Sequence, residues 1–90
     1  MNFEDHFRKV DIKEAKQEFS CAVDLITLIT LNTRSGRLKQ AHARGKDLLT
    51  SLEKLVQMNE RKQADDEYQE LINQLVQKGI DIQTVRLQMS

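Results

Sequence analysis

The stretch that decides the fold is Leu38-Lys-Gln-Ala41-His-Ala-Arg-Gly45-Lys-Asp-Leu48-Leu-Thr-Ser-Leu52-Glu-Lys-Leu55. Its apolar and small positions Leu38, Ala41, Gly45, Leu48, Leu52 and Leu55 recur three and four residues apart. At about 100° per residue that spacing keeps them on one side of a helix, whereas a strand alternates every second residue. The pattern is a heptad seam, thickened by Leu49 and Val56 and too short to require a long coiled coil. Ala41 and Gly45 remove bulk from it, so a partner helix is expected to come close there. Gly45 costs a helix about 1 kcal/mol relative to Ala, which the close approach has to offset.

Upstream of the seam, Asn32, Thr33, Ser35 and Gly36 form the only dense cluster of turn residues. They predict the end of one helix near residue 33, with Ser35 free to cap the next. Before the turn, Ile12, Ala15, Phe19, Ala22, Val23, Ile26 and Ile29 fall on one helical stripe, and Cys21, Leu25 and Leu28 lie nearly opposite. The β-branched run from Val23 to Thr30 also suits a strand, but its charged, helix-forming flanks and the want of a partner strand favour helix. Two helices, 11–33 and 36–61, are therefore expected to pair as an antiparallel hairpin.

At the start of the chain, Asn2 is placed to cap a turn carrying Phe3, Phe7 and Val10. Asp11 and Glu14 form a D-x-x-E capping box flanked by Val10 and Ala15 at staple positions. Either a new helix begins at Asp11 or one helix runs from Asn2. Residues 1–10 are a helical arm in both cases.

Downstream, the apolar signal lapses from Asn59 to Glu67 and resumes as Tyr68, Leu71, Ile72, Leu75 and Val76. On a continuous wheel the resumed stripe is rotated by about 150°. The chain either turns near 61–66 or continues as one helix whose halves face different partners. The turn is the expectation, because Asp65, Asp66 and Glu67 would then sit in the first turn of a helix over 66–78, where the dipole favours acids. Gly79 marks its end, and Asp81 caps a short helix over 81–89. The fold class is all-α: an antiparallel helical hairpin, or small three- to four-helix bundle, in one domain over 1–90. Its expected core is Ile12, Phe19, Val23, Ile26, Leu38, Leu48, Leu52, Leu55, Leu71 and Leu75.

Composition agrees with this class. Ninety residues make one small domain. The 14 Lys+Arg balance 14 Asp+Glu, and 39% hydrophobic residues suffice for a core beside 31% charged ones. With no proline and three glycines, the chain has little of the turn chemistry a multi-stranded sheet needs. A single cysteine excludes an internal disulfide framework and a cysteine-based zinc site. The charged first 20 residues do not fit a signal peptide. The most apolar run, Phe19 to Leu31, contains Asp24 and is shorter than the roughly 20 residues a membrane span needs. A cytoplasmic protein with no membrane contact is expected.

No constellation of residues points to catalysis. His6 and His42 lie far apart with no second ligand at helical spacing, Ser20-Cys21 has no activating base, and the acidic residues lack the turn glycine of a calcium loop. No enzyme activity, cofactor or metal is expected. Charge distribution says more. Residues 34–46 hold Arg34, Arg37, Lys39, Arg44 and Lys46 with no acid, while 64–78 hold Asp65, Asp66, Glu67 and Glu70 against Lys78. The bases crowd a helix start, where the dipole disfavours them, and no acid of the hairpin is placed to pair with them. They and the second apolar face, Cys21, Leu25 and Leu28, are the expected partner-binding residues. The expected function is that of a small helical protein–protein interaction module: an adaptor, a partner-occluding regulator or a secretion-type chaperone. Its partner is another protein, itself as a homodimer, or both.

One segment carries a different suggestion. Gly79-Ile-Asp-Ile-Gln-Thr-Val-Arg86 resembles the turn and early recognition helix of helix-turn-helix regulators, where G-I-S-x-x-T-V-x-R is common, with Asp81 in place of the serine cap. The resemblance implies a DNA-binding regulator using residues 68–89, with Tyr68–Lys78 as the supporting helix. An acidic supporting helix repels phosphate, and Phe3, Phe7, Phe19 and Tyr68 all lie on apolar stripes and not on a base-stacking platform. Nucleic acid is therefore the lesser expectation.

Overall fold

A computed structural model of the chain describes residues 1–79. Those residues are all-α: a short helix α1 (Phe3–His6), a single 3-10 turn (Lys9–Asp11), and two long helices, α2 (Ile12–Arg34, 23 residues) and α3 (Leu38–Gln77, 40 residues). The two long helices form an antiparallel hairpin in a molecule measuring 64 × 23 × 17 Å. Three contacts fix the register: Cys21 with Ser51, Glu18 with Lys54 and Asp11 with Arg61. Each pair lies at equal chain distance on either side of Gly36.

Gly36 makes the reversal possible. Its φ of +75° lies in the left-handed region, which L side chains rarely adopt. The Gly36 N–H donates to the Thr33 carbonyl (3.2 Å) and the Arg37 N–H to the Asn32 carbonyl (2.8 Å), which together form a Schellman motif. Ser35 therefore closes α2 and does not cap α3, contrary to expectation. Arg37 occupies the N-cap of α3 and makes no side-chain capping bond. In α2 the β-branched run is helical, and Thr27, Thr30 and Thr33 satisfy their hydroxyls by donating to the carbonyls of Val23, Ile26 and Ile29.

The arm is a separate element, which decides between the two readings of the N-terminus. Asn2 caps α1, its Oδ1 accepting from the Glu4 N–H at 3.1 Å. The backbone then extends at Phe7 and Arg8 before α2 begins. The Asp11 carboxylate leaves its capping role: it is buried and accepts from Arg8 Nε at 3.1 Å, with the Arg61 guanidinium at 3.5 Å. Val10, expected to staple the cap, is 80% exposed. The Asn59 side-chain amide donates to the His6 carbonyl (2.9 Å) and so stitches the arm to α3. Phe7, Ala15 and Met58 form the buried centre, with Phe3, Ile12 and Leu55 packed against it.

The expected turn near 61–66 does not occur: α3 runs unbroken from Leu38 to Gln77, so no separate helix begins at residue 66. The charged stretch holds its helix through pairs four residues apart. Lys62 binds Asp66 at 2.7 Å, and the Gln63 amide donates to Asn59 Oδ1 at 2.9 Å. Loss of apolar periodicity there means exposure and not an end. Asp65 reaches Arg8 at 3.7 Å and so faces the arm. Beyond Arg61, α3 overhangs the start of α2. It closes at Gly79, with φ +74° and its N–H on the Val76 carbonyl, as the sequence predicts. The segment assigned to a helix over 81–89, and most of the helix-turn-helix-like stretch 79–86, lie outside the described residues.

Candidate functional site

Small side chains punctuate the seam between α2 and α3. On α2 the buried or half-buried positions are Ile12, Ala15, Glu18, Ala22, Leu25, Ile29 and Asn32, spaced three and four residues apart; they share Ile12, Ala15, Ala22 and Ile29 with the expected stripe but leave out Phe19, Val23 and Ile26. On α3 they include Ala41, Gly45, Leu48, Ser51, Leu55 and Met58. At Ala15, Ala22, Ala41 and Ser51 the contact side chains are small, and Phe19, Val23 and Ile26 fall on the flank beside them. The expected core is corrected accordingly. Phe19, Val23, Ile26, Leu38, Leu52 and Leu71 are 40–64% exposed, while Ile12, Leu48, Leu55 and Leu75 are half-buried.

The two flanks of the hairpin differ in kind. One is polar: Lys54 Nζ meets Glu18 at 3.3 Å, the Ser51 hydroxyl donates to Cys21 Sγ at 3.7 Å, and Arg61 meets Asp11. The other is apolar. Phe19 of α2 and Leu52 and Val56 of α3 line one groove beside the arm, and Leu49 continues it along α3. Val23 and Ile26 extend the Phe19 stripe by helical spacing. These six side chains are 40–58% exposed. At the arm end the groove is bounded by aromatic packing: Phe3 meets Phe19 edge-on with centroids 5.5 Å apart, and Lys16 Nζ stands 5.7 Å over the Phe3 ring.

The residues singled out in the sequence separate into three settings. Leu25 is buried in the hairpin seam at 8% exposure, so it holds α2 to α3 within one chain. Cys21 is exposed beside Ser51, and Leu28 is 45% exposed on the same side of α2. The bases gather at the tip of the hairpin: Arg34 ends α2, Arg37 caps α3, and Lys39, Arg44 and Lys46 occupy its first turns, all of them exposed. The cluster is not wholly free of acids, because Arg44 binds Asp47, one residue past the window counted, at 3.0 Å. Among the described residues, Arg34, Arg37, Lys39 and Lys46 form no ion pair.

The apolar flank of Phe19, Val23, Ile26, Leu49, Leu52 and Val56 is the surface that sequence reasoning missed, having assigned most of it to the core. The signal was present. Ala15 and Ala22, both on the expected stripe, repeat with Leu25 at seam spacing one residue ahead of Lys16, Val23 and Ile26, and the small size of the two alanines marks the contact line. Among the described residues no three His, Cys, Asp or Glu side chains converge to hold a metal ion, and no helix is long and apolar enough to cross a membrane. Compared with known proteins, the chain matches no family model, no curated protein and no solved structure.

Proposed function

We propose that this protein is a non-enzymatic helical interaction module that works by self-association through the apolar flank of its hairpin. Within that class it serves as an adaptor, a partner-occluding regulator or a chaperone of the secretion type. The observation that carries the reading is a contiguous row of six large apolar side chains left 40–58% exposed by a two-helix layer. A helical layer with an apolar face is stable when a second layer covers it, and a large exposed apolar patch on a protein surface marks an association site.

Two hairpins stacked face to face give a four-helix arrangement, a common solution for helices of this kind, and a two-fold dimer is the commonest closed assembly.

The test is sedimentation of the wild-type chain beside Phe19→Glu/Leu52→Glu. The wild type is expected to sediment as a dimer at micromolar concentration and the variant as a soluble monomer of equal helicity. A wild type that stays monomeric at high micromolar concentration overturns self-association.

A further inference from the structure

We propose that the second copy docks antiparallel, with the basic tip of one hairpin lying against the acidic overhang of α3 in the other. The inference rests on the reading of the apolar flank as a self-association face and adds its orientation and its ionic contacts.

Position along the hairpin carries the argument. Counting outward from Gly36, the six apolar side chains of the flank centre about 15 residues from the tip, or roughly 22 Å at the helical rise of 1.5 Å per residue. A two-fold axis through that centre, perpendicular to the helices, carries each tip to about twice that distance along its partner, roughly 45 Å. In α3 this is the neighbourhood of residues 66–67, where the overhang is acidic and α2 has already ended. The tip therefore arrives where Asp65, Asp66, Glu67 and Glu70 stand.

Helical phase sorts those acids. Asp65 is taken by Arg8 and Asp66 by Lys62. Glu67 and Glu70 make no ion pair among the described residues, and on the α3 wheel both fall within about 60° of Leu52, on the flank the partner covers. At the tip, Arg34 and Arg37 are exposed and without an ion pair among the described residues. In the antiparallel dimer each copy's Arg34 and Arg37 approach the other's Glu67 and Glu70, giving two symmetric contacts. The parallel alternative, with the two-fold along the helices, brings both basic tips together. Complementary charge selects orientation more than it adds affinity, and like charges in register disfavour the wrong one.

Two measurements test this on the full chain. In a Cys21→Ser background, a spin label on Ser35→Cys reports tip-to-tip distance by pulsed dipolar spectroscopy. The antiparallel dimer predicts roughly 45 Å, twice the tip-to-centre length; a parallel dimer gives about 20 Å or less, the interhelical spacing plus the label tethers. Separately, Arg34→Glu/Arg37→Glu and Glu67→Lys/Glu70→Lys should each raise the dimer Kd about tenfold at low salt, and the four changes combined in one chain should restore it. A dimer with the short distance overturns the orientation while the apolar face stands. The long distance with a Kd indifferent to all four charges overturns the ionic contacts. A wild-type chain that never dimerises removes the reading on which both rest.

Discussion

The two flanks of one hairpin, built by the same pair of helices, show opposite chemistry. Along the polar flank, Glu18–Lys54, Cys21–Ser51 and Asp11–Arg61 cross from α2 to α3 and set the register. Along the apolar flank, Phe19, Val23 and Ile26 stand beside Leu49, Leu52 and Val56 with much of their surface in water. Among the described residues the polar side chains find partners across the hairpin, and the apolar ones remain 40–58% exposed. Size in the seam contributes to the difference: small side chains at Ala15, Ala22, Ala41 and Ser51 alternate with Leu25, Leu48, Leu55 and Met58, and Phe19, Val23 and Ile26 are left outside that row. What holds the hairpin closed is therefore different from what the hairpin leaves exposed.

The largest expected effect separates the buried centre from the apolar flank. Met58 is 2% exposed between the arm and the hairpin, so Met58→Ala should lower unfolding free energy by about 2–5 kcal/mol. Leu49 is 58% exposed, and Leu49→Ala should change the monomer by no more than about 0.5 kcal/mol while weakening association. Denaturant titration at low concentration reads both. Equal losses from the two variants would mean that the flank is already covered within one chain, and the contrast between the faces would collapse.

The seam itself gives the next largest effect. Ala22 is 4% exposed at the helix–helix contact. Ala22→Leu should cost about 1–3 kcal/mol through overpacking, although leucine is the better residue by hydropathy. A neutral or stabilising Ala22→Leu would show that the helices are not closely packed there, and the account of why Phe19 and Val23 face outward would fail.

Gly45 is a third probe, with the opposite sign. The sequence suggests that its lack of a side chain permits close approach at the seam. A Cβ built at this position meets nothing within 4 Å, and the residue lies inside α3 with no positive φ. Gly45→Ala should therefore stabilise the protein by about 1 kcal/mol, the ordinary helix-propensity difference. A destabilised Gly45→Ala would restore the close-approach explanation.

These cases show what the sequence makes legible. The helical class, the Asn2 cap, the reversal at Gly36 and the stop at Gly79 were readable because each rests on local chemistry. The core stripe is legible only in part: Ile12, Ala15, Ala22 and Ile29 of the expected stripe do lie in the seam, whereas its bulkiest members, Phe19, Val23 and Ile26, stand on its outer edge, and Leu25, expected on the opposite face, is buried. Hydrophobic periodicity reports which residues prefer to leave water and does not report which neighbour covers them. A partner outside the chain leaves the same pattern as a core within it. For the same reason the charged stretch at 59–67 resembled a turn: periodicity vanishes on a fully solvated helix just as it does in a loop. The basic cluster is legible from charge alone, and its place at the tip follows from the reversal at Gly36. Leu25, by contrast, reads as a partner-facing residue from the sequence because the seam is rotated from the centre of the expected stripe toward it.

The smallest expected effect lies on the polar flank and tests whether its ion pairs specify the register or supply stability. Glu18 is largely covered, with 18% of its side chain exposed, and Lys54 is half exposed, so solvent screens their 3.3 Å contact from one side only. A double-mutant cycle of Glu18→Gln and Lys54→Met should give a coupling of about 0.2–1 kcal/mol, near the upper end at low salt and declining as salt is added. Such a value is too small to hold two helices together, but a hairpin shifted by one turn would lose Glu18–Lys54 and Asp11–Arg61 together. The second part of the measurement is therefore geometric. A cysteine at Lys54, facing Glu18→Cys in a Cys21→Ser chain, should oxidise rapidly to a disulfide in the wild-type register. The combination Glu14→Cys and Lys54→Cys, one turn out, should not. Equal oxidation of both pairs would show a sliding hairpin, and the polar flank would then have no role in fixing which apolar residues line up on the other side.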